Sequence, residues 1–118
     1  MLSEIVFHQY YFKGPTADRS GDQFISVPIL DSLRPKIMTA MAKAHVATQG
    51  AALGETSSAY DSGAPGLSDS FASTFGWIDK LGMASRLGLK RVFRQQLCCG
   101  DPYDVLGERG HHPRPECV

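Results

Sequence analysis

Residues 54–60, Gly-Glu-Thr-Ser-Ser-Ala-Tyr, place one carboxylate, Glu55, between a short apolar run and a loop of small residues. In α/β barrels the chemistry sits at the carboxyl ends of the strands. A glutamate in that position can be the nucleophile of a retaining glycosidase. It attacks the anomeric carbon and holds the sugar as an ester, while a second carboxyl about 5 Å away protonates the leaving oxygen. The same position also suits a carboxylate that only caps a loop, and position alone leaves both readings open.

Other reactive side chains carry weaker signals. His8 stands among aromatic residues, where a hydrogen-bonded core histidine is the plainer reading. Tyr10, Tyr11, Phe71, Phe75 and Trp77 read as core aromatics. Lys90, Arg91 and Arg94 form a short basic run that suits a solvated face, with Arg94 able to turn inward at a strand end. Cys98, Cys99, His111, His112 and Cys117 match no structural zinc spacing, so no metal and no cofactor is expected. Three cysteines, two of them adjacent, do not make a disulfide framework.

The elements that would carry Glu55 follow from the pattern. Residues 5–12 are β-branched and aromatic without clean alternation, as in a strand covered on both faces, and end at Lys13-Gly14-Pro15. Leu30, Leu33, Ile37, Met41 and Ala44 recur at helical spacing. Pro28 suits a first turn, whereas Pro35 predicts a kink or two short helices. Residues 50–55 read as a buried strand. Ser68 is a candidate helix cap before a second stripe of Leu67, Phe71, Phe75, Ile78 and Leu81, with Gly88 as the stop. Residues 89–97 are a third strand, and the sequence from Cys99 onward predicts irregular structure. Strand-helix-strand-helix-strand alternation means parallel strands with crossover helices. An eight-stranded barrel needs about 250 residues, so the 118 present fit part of one. The division expected is a partial barrel over residues 1–98 and an irregular tail over 99–118.

Lysine plus arginine balances aspartate plus glutamate at 12 each, which argues against a strongly basic nucleic-acid binder. No apolar run is long enough for a membrane span, and the first residues do not form a signal peptide.

The Glu55 motif, continued by Gly63-Ala64-Pro65 and Leu67-Ser68-Asp69, resembles the nucleophile region of the heparanases, family 79 glycoside hydrolases. The likeness extends through Phe71, Trp77, Asp79-Lys80-Leu81-Gly82 and Arg94-Gln95, and back to His8, Tyr10 and Tyr11. It is weakest over residues 16–48. It implies a partial (β/α)8 TIM barrel, its strands the sixth to eighth, and a retaining endo-β-glucuronidase acting on heparan sulfate or a related glucuronide glycan. By resemblance Glu55 is the nucleophile, and His8, Tyr60 and Tyr103 contact substrate. The family also implies a secreted, matrix or lysosomal address. Asp61 and Ser62 replace family glycines after Tyr60, and Asp61 would repel an anionic substrate. Pro15 replaces a family arginine. The family's acid/base glutamate follows an asparagine, and this sequence contains no asparagine. The expectation is therefore a chain with the nucleophile but without the acid/base, inactive alone and dependent on the remainder of the barrel. The alternatives are a non-catalytic heparan sulfate-binding module and a degenerate, truncated gene product.

Overall fold

The computed structural model describes residues 3–18, 20–47, 50–98, 100–107 and 113. Three parallel strands, β1 (Ile5–His8), β3 (Ala51–Thr56) and β5 (Arg91–Arg94), form one sheet with β3 in the middle. A second, two-stranded parallel ladder joins β2 (Phe12–Lys13) to β4 (Ala59–Tyr60). The continuous strand expected over residues 5–12 is thus two strands, separated by residues that turn the chain toward the loop after β3.

The crossover from β1 to β3 contains α1 (Val27–Asp31) and α2 (Leu33–Ala47). Pro28 lies in the first turn of α1. The two helices separate at Ser32, which places Pro35 in the first turn of α2, where the missing N–H costs nothing. The return from β3 to β5 is α3 (Ala72–Arg86), closed by Gly88 at φ 82°. Leu33, Ile37 and Ala44 from α2 pack with Ala51 and Leu53 from β3, Ala84 from α3 and Leu89 into the main core.

Two expectations for α3 are corrected. Ser68 does not cap the helix, which begins at Ala72. It is buried, and its hydroxyl accepts from the Ala64 amide at 2.9 Å and from Ser58 Oγ at 2.7 Å. The face that meets the sheet carries Ser73, Gly76, Lys80 and Ala84, while Phe71, Phe75, Ile78 and Leu81 are 56, 49, 63 and 41 % exposed. Small residues win that face because the helix approaches closely: a methyl at Gly76 would lie 3.4 Å from the Tyr11 ring. Trp77 and Tyr11 remain half-buried, whereas Phe71 and Phe75 are surface residues here.

An apolar stripe of this kind attracts amphiphilic probes. The isolated chain is expected to bind a hydrophobic dye under native conditions. Ile78→Ser should reduce that signal while changing stability by less than about 0.5 kcal/mol, as at other exposed sites. Cooperative unfolding of a monomer that binds no dye would contradict this.

Candidate active site

Glu55 is the fifth residue of β3, at the carboxyl end of the central strand. Its orientation depends on an extra residue. Phe7 pairs with Leu53, but the next pair is His8 with Glu55. On the other side, Leu53 pairs with Val92 and Thr56 with Arg94, so three steps along β3 match two along β5. Both neighbours skip a residue of β3 in the same stretch, around Gly54. Such a step bends the strand and re-aims the side chains that follow. Leu53 and Thr56 therefore both face the helices, and Glu55 is turned away from the apolar cluster. Glycine suits this place: a Cβ on Gly54 would lie 2.1 Å from Val6 Cγ1.

On the open side Glu55 meets two partners. Tyr10 Oη donates to Glu55 Oε1 at 2.8 Å, and His8 Nδ1 lies 3.5 Å from Glu55 Oε2. His8 is well exposed and is no core histidine. Burial, then the hydrogen bond and charge of Glu55, push the Tyr10 hydroxyl far above the ordinary tyrosine range, so it stays a donor. The Tyr60 ring stands edge-on to Tyr10 with centroids 6.3 Å apart and is half exposed. Tyr103 is buried, and its ring edge lies 2.9 Å from where a Gly63 Cβ would be. Burial, Asp101 and, more weakly, Glu55 raise its hydroxyl. The structure thus brings His8 directly against Glu55, links Tyr60 through Tyr10, and places Tyr103 within reach of the Glu55 charge.

Tyr10, expected as a core aromatic, is buried, but it lies between β1 and β2, and its hydroxyl meets Glu55. Asp61 has a cation beside it. Its carboxylate lies 3.2 Å from Lys13 Nζ, so its charge is partnered. Arg94 turns inward, with its guanidinium 5.0 Å from the Trp77 ring and Nη2 donating to the Tyr103 carbonyl at 3.0 Å. Lys90 and Arg91 are exposed. Cys98 is half-buried, while Cys99, His111, His112 and Cys117 lie outside the described residues. Among the described residues no cluster could hold a metal ion, and no helix is long and apolar enough to cross a membrane.

Asp61 and Ser62 adopt φ of 57° and 63°, followed by Gly63 at 79°. Left-handed backbone costs an L-residue roughly 1–2 kcal/mol, and serine tolerates it less well than aspartate. Ser62→Gly is therefore expected to raise stability by about 1 kcal/mol in urea unfolding, less the extra freedom glycine gives the unfolded chain. A fall in stability would refute the strain at this position.

The chain is 36% identical to rat (Rattus norvegicus) heparanase over 118 residues, which is 98% of this chain and 22% of that protein. Heparanase of Gallus gallus gives 36% over 117 residues, 98% of this chain and 22% of that protein. The chain is heparanase-like. It is also 32% identical to the hyaluronoglucuronidase of Hirudo nipponia, over 98% of this chain and 24% of that protein. The heparanase-like chain thus spans about a fifth to a quarter of the length of these relatives. No family model matches it. In structure it resembles the 4-O-α-L-rhamnosyl-β-D-glucuronidase of Fusarium oxysporum, with TM-score 0.73 and 21% identity, over 86% of this chain and 22% of that one. That likeness is one of fold: the heparanase-like chain is a partial α/β barrel, an open three-stranded parallel arc with its crossover helices.

Proposed function

We propose that this chain bears the nucleophile of a retaining endo-β-glucuronidase, a family 79 glycoside hydrolase acting on heparan sulfate or a related glucuronide glycan. The observation that carries the reading is the Glu55 carboxylate, turned out of the core at the end of the central strand and gripped by Tyr10 and His8. One oxygen is fixed by a donor, and the carboxylate stays partly exposed. His8, Tyr60 and Tyr103 contact the substrate in this reading. The partial barrel of residues 1–98 holds the site and residues 99–118 form its tail, in a protein with a secreted, matrix or lysosomal address.

Retention needs a second carboxyl about 5 Å from the first. Glu4 is bound to Arg91, which pairs with Ala52 near the beginning of β3 rather than its site end, and Glu108 and Glu116 lie outside the described residues. In our reading the acid/base belongs to the remainder of the barrel, so the 118 residues alone turn over no glycan. The test grafts residues 5–97 into a complete barrel of a relative and treats the chimera with an activated fluoro-glucuronide. A sugar adduct on Glu55 is expected. An adduct on any other residue overturns the assignment, and robust hydrolysis by the isolated chain overturns the need for an outside acid/base.

A further inference from the structure

Lys80 is the largest fully buried side chain among the described residues. Its Nζ donates to Thr56 Oγ1 at 2.6 Å and to the Ser57 carbonyl at 2.5 Å, and lies 4.5 Å from the centre of the Tyr11 ring. None of these partners is a carboxylate, and the guanidinium of Arg94 bears the same sign of charge. Burial, reinforced by Arg94, lowers the ammonium to about 7. A buried amine without a counter-charge is costly, and a methionine of similar length fills such a space without that cost. What methionine lacks is two N–H donors.

Those donors end on the segment that follows Glu55. Thr56 Oγ1, which accepts from Lys80, itself donates to the Gln9 carbonyl at 2.5 Å. The Gln9 amide in turn donates to the Glu55 carbonyl at 3.2 Å. Gln9 is the residue between His8 and Tyr10. One hydrogen-bonded chain therefore runs from α3 through Thr56 to the peptide that seats both partners of the carboxylate.

We propose that Lys80 is a positioning residue that sets the Glu55–Tyr10 pair through Thr56 and Gln9. Its catalytic meaning rests on Glu55 being the nucleophile, but the geometry can be tested without catalysis. The 118-residue chain is labelled with ¹³C at tyrosine Cζ and glutamate Cδ, and Glu55→Gln calibrates how far the Tyr10 resonance moves when its acceptor changes. Lys80→Met is expected to stay folded and to displace both the Tyr10 Cζ and the Glu55 Cδ signals, with Tyr103 as the internal reference. Thr56→Val keeps the side-chain shape and breaks the same chain, and should displace the same two signals. A folded Lys80→Met chain with both signals at their wild-type positions overturns the proposal. If Lys80→Met does not fold, Thr56→Val decides: unmoved signals overturn the proposal, and moved signals uphold it. An adduct on a residue other than Glu55 in the trapping experiment would sink the nucleophile reading and leave these resonance shifts intact, so the two failures are distinguishable.

Discussion

Replacing Glu55 by glutamine in the grafted barrel is expected to abolish both the sugar adduct and glycan hydrolysis. The amide keeps the size and one oxygen of the carboxylate, so Tyr10 retains an acceptor and the strand retains its packing. What is lost, in the proposed reading, is the negative charge that attacks the anomeric carbon and later leaves as a carboxylate. Removing a nucleophile from a concerted site typically costs about 10⁴–10⁶-fold in rate. The glutamine chimera should unfold at the same denaturant concentration as its parent, because Glu55 is partly exposed and contributes little to the core. Residual hydrolysis within tenfold of the parent would show that another group attacks the sugar.

The second large effect is on stability against pH. Between about pH 7 and pH 10 the folded chain becomes more stable as pH rises. Lys80 titrates near 7 when folded and at the ordinary 10.5 when unfolded. In that window the unfolded chain binds a proton that the native chain does not, so raising pH favours the native state, by at most about 1.4 kcal/mol per pH unit. Below about pH 7 both states carry the proton and the full cost of burying the charge is felt. Above about pH 10 the trend reverses. Burial raises the hydroxyls of Tyr10 and Tyr11 above their ordinary 10.0, helped by Glu55 and Asp79 respectively, so the unfolded tyrosines release protons that the native ones keep. The groups facing the Lys80 amine are Tyr11, Thr56, Ser57 and Arg94, with Trp77 from its own helix. Urea unfolding across this range should show the rise in the parent and lose it in Lys80→Met. A flat profile in the parent would mean that Lys80 stays charged in the fold.

Much of this was legible in the sequence where one residue type admits one backbone state. Pro28 marked a helix start, Pro35 a kink or a break between helices, Gly88 a helix end, and residues 50–55 a buried strand. The α3 stripe was misread because spacing shows which residues share a face but not which face the sheet accepts. Close approach selected Ser73, Gly76 and Ala84, and left the larger apolar residues outside. Lys80 entered only as part of the family likeness, because nothing in the sequence marks a lysine as buried. Tyr10 and Tyr11 are adjacent and alike in sequence. Their fates part only when the segment between β1 and β2 gives one to the carboxylate and the other to the helix, where its hydroxyl donates to the Gly76 carbonyl at 3.0 Å.

The extra residue around Gly54 makes the site a matter of parity. Upstream of it, odd positions of β3 point to the helices, and downstream the count has shifted by one. Pairing β3 residue for residue with both neighbours, without the extra residue, would preserve the alternation of strands and helices and the whole sequence. It would swing the carboxylate toward Leu53 and its apolar neighbours, because side chains alternate with a period of two. Disabling such a site therefore requires no change to any reactive group. A slip of the pairing by one backbone unit is enough, and a chain that slipped in this way would still display every residue of the motif.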